Sequence, residues 1–137
     1  MVVEYLEHTA DIKFKVIGNS YGEIFSEAVY ALNETIRGEI RVSEREEKKI
    51  NANGYDMVSL LHNFLEEFLY LLEAEEFLVA RIKEIKIDLE NFKLESVVVG
   101  DKAKNYKFTN NVKAVTYSEM YVSKENDKFV CQVVLDV

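Results

Sequence analysis

Carboxylates stand near both ends of this sequence, in segments that are otherwise strand-like. Asp11 follows the polar run Glu7-His8-Thr9-Ala10, and Asp136 comes directly before Val137, where a terminal carboxylate would add a third acidic group. An acidic side chain within an apolar pattern is costly unless it is paired, hydrogen-bonded or bound to a cation. If the two end strands lie side by side, these groups form one site.

Three carboxylates would repel one another without a cation, whereas with one they form an all-oxygen site that suits Ca²⁺, Mg²⁺ or Mn²⁺ rather than zinc. Asp11 has a simpler alternative, which is hydrogen bonding to turn amides. The alternative for Asp136 and Val137 is a frayed, solvated chain end. The apolar, β-branched residues that precede Asp136 favour a docked strand instead.

His8 and Lys113 are further candidates for this site, as a second shell or as contacts to a partner. As a metal ligand His8 would favour a transition metal, but a turn histidine that only forms hydrogen bonds is the preferred interpretation. Lys113 would neutralise the acidic cluster or face a phosphate-bearing partner, although an exposed strand lysine is the default. His62 is expected to be structural. Phosphate loops, nucleophile elbows, HExxH and EF-hand patterns are absent from the sequence.

Composition limits the classes of function. The chain has 137 residues, nearly half of them apolar, which predicts one globular domain over residues 1–137. The net charge of −8 and the dispersed basic residues argue against tight, direct binding of nucleic acid. A single cysteine, Cys131, excludes an intrachain disulfide and a Cys-based zinc site, and its alternating context predicts a buried filler. Without a signal peptide or a membrane-length apolar run, we expect a cytoplasmic protein with no membrane association.

The elements that would position the site are predicted in the order strand, strand, helix, strand, helix and four strands. Ser20 and Asp56 are predicted N-caps of the two helices, and Gly38 ends the first. Strands are predicted over residues 2–6, 12–16, 39–51, 77–89, 92–99, 112–122 and 128–137, with a polar loop over 100–111. Irregular alternation argues against a doubly wound parallel sheet. We therefore predict an α+β domain with largely antiparallel sheets and two helices packed on one face.

Four segments in this order resemble the archease family. They are Glu4–Phe14, the leucine-rich helix Leu60–Leu72, the run Val112–Tyr117 and the ending Val133–Val137. The resemblance implies a non-enzymatic, intracellular activator of the GTP- and metal-dependent tRNA-splicing RNA ligase, which promotes ligase guanylylation and multiple turnover. It also implies a divalent-cation site, with Ca²⁺ ahead of Mg²⁺ and Mn²⁺. Its ligands map onto Asp11, Asp136 and the Val137 terminus.

The sequence departs from the family at one loop, since residues 100–108 lack the histidine of an Arg-His pair that members often carry there. Two other functions remain open from the residues. A metal-dependent phosphoester hydrolase would use His8 and Asp11. A chaperone or scaffold would need an exposed apolar surface, for which the stripe of the second helix is the one candidate.

Overall fold

The computed structural model describes residues 2–6 and 11–137, which form seven strands, two α-helices and a short 3-10 helix. In chain order the elements are β1 (Val2–Leu6), β2 (Asp11–Gly18), α1 (Tyr21–Arg37), β3 (Glu46–Asn53), α2 (Met57–Glu75), β4 (Phe77–Asp88), β5 (Lys93–Lys102), the 3-10 helix (Ala103–Asn105), β6 (Ala114–Glu125) and β7 (Lys128–Asp136). This order confirms the one predicted from the sequence.

The strands form two antiparallel sheets, one in the order β1-β2-β7-β6 and the other in the order β3-β5-β4. Both helices contact strands of both sheets, so the helix pair lies between the sheets and covers one face of each. The α+β prediction is confirmed. This arrangement also explains why the apolar stripes of the helices are broad, because each helix buries side chains in two directions.

Capping side chains begin both helices at the predicted residues. The Ser20 hydroxyl accepts a hydrogen bond from the Glu23 amide at 3.1 Å. The Asp56 carboxylate accepts one from the Ser59 amide at 2.8 Å, and the Ser59 hydroxyl accepts one from the Asp56 amide at 3.1 Å. Gly38 follows α1 with a φ of 67°, and its amide donates to the Glu34 carbonyl, as expected for a glycine stop.

The Asp56 cap should make stability pH-dependent in acid. Backbone and side-chain hydrogen bonds from Ser59 lower the pKa of Asp56 below its ordinary value. The pKa of Asp56 is lower in the folded protein than in the unfolded chain, so the stabilisation is complete above the pKa of the unfolded chain, about 4. This stabilisation is lost as the pH falls through the pKa that Asp56 has in the folded protein. Asp56→Ala should cost about 1 kcal/mol at neutral pH.

Urea unfolding at several pH values checks this, with Asp56→Asn as the control because asparagine caps a helix without titrating. Relative to Asp56→Asn, the natural protein should keep a constant stability around neutral pH and should lose stability in acid. Equal stability of Asp56→Ala and the natural protein at pH 7 would contradict the prediction.

The predicted start of β3 and the predicted end of β5 are wrong. The strand predicted over 39–51 begins only at Glu46, because the segment after Gly38 has no regular structure until Arg45, whose amide donates to the Gly100 carbonyl. The loop predicted over 100–111 begins with three more residues of β5, including Asp101. Its carboxylate is buried and accepts hydrogen bonds from groups that follow it, so a charged residue occupies a strand position that its type does not indicate.

The alternation predicted for 112–122 is interrupted. β6 begins at Ala114, and its residues 117–120 lie opposite the single β7 residue Val133. Val115 and Val122 therefore both contribute to the core side although their positions differ in parity. Glu119 lies inside this bulge with a φ of 53°, a left-handed conformation that is uncommon for a residue with a side chain.

Candidate functional site

Asp11 and Asp136 lie directly opposite each other in the pairing of β2 with β7. Side chains of opposed residues in an antiparallel pair project from the same face, with Cβ atoms about 4.5–5.5 Å apart. Both aspartates are partly buried. The structure therefore brings together the two acidic side chains that stand near the two ends of the sequence.

The acidic pair lies on the face of its sheet that points away from the helices. The alternate β7 residues Cys131, Val133 and Leu135 belong to the core between the sheets. Since side chains alternate along a strand, Asp136 occupies the opposite face. Both aspartates keep part of their surface exposed, so a cation or a partner can reach them without opening the core.

Lys113 contacts Asp136 through its main chain, whereas Val137 follows Asp136 and packs through its side chain. The Lys113 amide donates to the Asp136 carbonyl at 2.7 Å, whereas the Lys113 side chain is exposed. The next residue, Ala114, is the β6 partner of Asp136. The Val137 side chain packs against the core, so the segment that follows Asp136 is docked rather than frayed.

The bulge in β6 adds a residue to the outer face that the sequence pattern did not indicate. The Lys13 ammonium contacts the Glu119 carboxylate at 3.1 Å, and the Gln132 side-chain amide donates to the Glu119 carbonyl at 2.8 Å. These contacts from β2 and β7 hold the left-handed residue in place, which agrees with the observation that such strained residues persist only where neighbours determine them. Periodicity alone contained no signal for the bulge.

The aspartates fit a hard cation in chemistry and placement. Two half-buried carboxylates, opposed across a strand pair on the outer face of the sheet, match the oxygen ligands that Ca²⁺, Mg²⁺ and Mn²⁺ prefer. Within residues 2–6 and 11–137, no group of three or more His, Cys, Asp and Glu side chains is arranged to hold a metal ion. His8 lies outside the described residues. A third ligand from a His, Cys, Asp or Glu side chain would therefore have to come from outside the described residues or from a partner.

His62 lies in α2 and contacts the edge of β6, which agrees with the structural role expected for it. Its Nε2 lies 2.8 Å from the Val115 carbonyl oxygen, and its ring stacks on Tyr117 with centroids 3.9 Å apart. One helical turn later, the Glu66 carboxylate accepts a hydrogen bond from the Val115 amide at 2.9 Å. Nothing in the local sequence distinguishes Glu66 from other glutamates of α2.

The apolar stripe of α2 belongs to the core. Leu60, Leu61, Phe64 and Leu65 are all fully buried, so this stripe does not supply the exposed surface that the chaperone hypothesis required. Cys131 is also fully buried, and burial raises the pKa of its thiol to about 12. Its predicted role as a filler is confirmed. Among the described helices, none combines the length and the apolar character needed to cross a membrane.

The loop that departs from the family pattern is held by a buried carboxylate. The Tyr106 hydroxyl donates to Asp101 at 2.8 Å and accepts from the Ser43 amide at 2.8 Å. Burial alone would raise the pKa of Asp101, but hydrogen bonds from Tyr106, the Lys102 amide and Asn105 hold it below its ordinary value. This network ties the loop after β5 to the segment before β3.

Tyr106→Phe should destabilise the protein by about 2 kcal/mol, because it removes a hydrogen bond to a charged group and leaves the Ser43 amide without its acceptor. Equilibrium unfolding in urea measures the loss. Tyr55→Phe is the matched control, since Tyr55 is 93% exposed and should lose almost nothing. Equal midpoints for the two variants would show that the network does not stabilise the loop.

A model of the Archease protein family matches residues 3–137 of the chain. A protein named archease from Methanosarcina acetivorans is 36% identical, with 98% of this chain and 94% of that protein covered. A protein named archease-like from Dictyostelium discoideum is also 36% identical, with 98% and 92% covered. Relatives from distant organisms thus match over nearly the whole length.

Two solved structures share the fold. The solution structure of a Methanobacterium thermoautotrophicum protein superposes with a TM-score of 0.82 at 28% identity, and the match covers 98% of each chain. The crystal structure of a Thermotoga maritima archease, described as a possible chaperone, gives a TM-score of 0.67 at 26% identity. That match covers 96% of this chain and 94% of the Thermotoga protein.

Proposed function

Because the chain belongs to the Archease protein family, we propose that it activates a GTP- and metal-dependent tRNA-splicing RNA ligase in the cytoplasm. In this role it promotes guanylylation of the ligase and multiple turnover, and it is a protein cofactor rather than an enzyme. The observation that supports an acidic working site is the pairing of Asp11 with Asp136, both partly exposed, on the outer face of the sheet.

Asp11 and Asp136 would hold a divalent cation, with Ca²⁺ preferred and Mg²⁺ or Mn²⁺ as alternatives, and the main-chain carboxylate of Val137 would be a third ligand. When bound, such a cation supplies positive charge that offsets the phosphate charge developing in nucleotidyl transfer. The pairing of β2 with β7 sets the spacing of the two carboxylates before any partner binds. Little reorganisation is then needed when the cation binds.

Charge favours a protein partner over RNA. The chain carries a net charge of −8, which steers it towards a basic surface and away from a phosphate backbone. The Lys113 side chain is exposed, and the Lys113 amide donates to the Asp136 carbonyl, so the main chain of Lys113 adjoins that of Asp136. We assign Lys113 to contact with an acidic or phosphate-bearing group of the ligase complex.

Guanylylation of the matching ligase, with and without this protein, tests the proposal. With GTP labelled in its guanosine or α-phosphate, the GMP group should be transferred to the ligase faster in the presence of the protein, with release of pyrophosphate. One ligase molecule should then seal more than one RNA. No change in either quantity would contradict the proposal. Incubation of the protein alone with divalent metal and a panel of phosphoesters should release no product; turnover abolished by Asp11→Asn would favour the hydrolase instead.

Residues added after Val137 should weaken the site, because an extension converts the main-chain carboxylate into a neutral amide. The fold should survive, since the Val137 side chain can still pack on the core. A protein with a cleavable C-terminal tag checks this, and ligase activation should recover after cleavage. An identical tag before Val2 is the control. Full activation by the C-terminally tagged protein would exclude the terminal carboxylate as a ligand.

A further inference from the structure

We propose that His62 and Glu66 are positioning residues for the acidic site. They occupy the open edge of β6 and thereby hold Lys113 and Ala114 in place beside Asp136. The inference rests on the proposed function, because it assigns α2 a part in the same activating site. It concerns residues that do not themselves touch the cation or the partner.

Along the edge of β6 that faces away from β7, side chains of α2, and not another described strand, bond to the main chain. β6 is the last strand of its sheet, with β7 as its neighbour. The Val115 amide donates to Glu66 at 2.9 Å, and the Val115 carbonyl lies 2.8 Å from Nε2 of His62. Both main-chain groups of Val115 thus bond to α2. Without these two side chains they would be open strand-edge groups, which proteins usually cover or pair.

The geometry around His62 fixes its ring. A carbonyl oxygen can only accept, so Nε2 must carry the proton that it shares with Val115. Stacking on Tyr117, with ring planes 12° apart, holds the imidazole from a second direction. Such a ring is a rigid anchor for a strand.

The anchored residue is next to those that contact Asp136. Val115 directly follows Ala114, the β6 partner of Asp136, and comes two residues after Lys113, whose amide bonds to Asp136 at 2.7 Å. Displacement of β6 from α2 would therefore move both neighbours of the acidic pair. Misplacement by about 1 Å can cost about a hundredfold in a reaction that depends on exact placement of groups.

Glu66 offers a matched set of variants. Glu66→Leu removes the acceptor of the Val115 amide, whereas Glu66→Gln keeps an oxygen at the same reach and removes only the charge. Glu67→Leu is the control, because Glu67 is exposed on the same helix. Glu66→Leu should lower the maximal rate of ligase guanylylation about tenfold at an unchanged half-saturating concentration. Glu66→Gln and Glu67→Leu should stay near the natural protein.

His62→Phe is an independent probe. Phenylalanine can still stack on Tyr117 but has no N–H for the Val115 carbonyl. It should lower the maximal rate in the same direction as Glu66→Leu. Hydrogen exchange at the Val115 amide reports on the bonds between α2 and Val115 without any ligase. The exchange should be faster in both variants. His62→Phe keeps the inference testable if Glu66→Leu fails to fold.

The outcomes separate this inference from the proposed function. If the natural protein does not stimulate the ligase, the proposed function fails. If it does and Glu66→Leu stimulates as well as Glu67→Leu, the positioning role is wrong. An increase in the half-saturating concentration alone would indicate a docking role and would also overturn the inference. Unchanged exchange at the Val115 amide in both variants would show that His62 and Glu66 do not hold β6 in place.

Discussion

Asp136→Asn should abolish ligase activation while the protein stays folded. Asparagine keeps the shape of the side chain and the strand hydrogen bonds of the backbone, and it removes only the charge. Substitution of residues that merely support metal ligands costs about 10–100-fold in affinity or activity, so loss of a ligand should reduce the stimulated guanylylation rate at least about 100-fold. Asp11→Asn, on the opposite strand, should have a similar effect.

Stability should change in the opposite direction to function. Like charges directly opposed in an antiparallel pair destabilise it by up to about 1 kcal/mol, so in the presence of a chelator Asp136→Asn should be as stable as the natural protein or slightly more stable. Added Ca²⁺ should raise the melting temperature of the natural protein, because a ligand that binds only the folded state stabilises it. The melting temperature of Asp136→Asn should not respond.

Asp127→Asn is the control for the loss of one negative charge, since Asp127 is exposed in the turn between β6 and β7. It should activate the ligase normally and should keep the response to Ca²⁺. If folded Asp136→Asn and Asp11→Asn both support full guanylylation, the acidic-site mechanism is wrong. A Ca²⁺ response that survives in both variants would place the cation elsewhere.

Gly100→Ala should produce the largest loss of stability. Gly100 lies in β5, the central strand of its sheet, opposite Val79 of β4. A Cβ atom there would lie 2.1 Å from the Leu78 carbonyl oxygen and 2.9 Å from the Phe77 ring. The oxygen belongs to the backbone and cannot swing aside. We expect a loss of about 3 kcal/mol, the upper range for overpacking, and a melting temperature about 10 °C lower.

Gly22→Ala is the matched control with the opposite sign. Gly22 lies in the first turn of α1, and the nearest atom to an added Cβ is a methyl group of Ile85 at ordinary contact distance, 3.6 Å. Alanine is favoured over glycine in helices by up to about 1 kcal/mol, so this variant should be slightly more stable. Calorimetry of both variants compares the effects directly. A loss below about 1 kcal/mol in Gly100→Ala would mean that β4 moves aside easily.

Local sequence patterns predicted the parts of the fold that local physics determines. Ser20 and Asp56 cap helices because their side chains bond to amides three residues later, and that spacing can be read directly. The strands at both ends were also predicted, and their pairing brings Asp11 to Asp136. The role of these residues as cation ligands rests on the family resemblance and stays a prediction.

Features that depend on distant partners could not be predicted. The bulge in β6 is stabilised by Lys13 and Gln132, which come from two other strands, while the sequence of β6 itself alternates without a break. Glu66 resembles any exposed helical glutamate until Val115 is placed beside it. Asp101 resembles a loop residue until Tyr106 and its neighbours surround it. In each case the deciding interaction joins elements that no local pattern connects.

The position of β7 has a consequence for how the protein folds. β7 is the last strand in the sequence, yet it lies inside its sheet, between β2 and β6. Neither β1-β2 nor β6 can complete this sheet before β7 arrives, so much of the native structure depends on contacts between residues far apart in the chain. Such topologies fold slowly, typically in milliseconds to seconds. The acidic pair should therefore form late, and a nascent chain or a fragment without β7 should have no activating site.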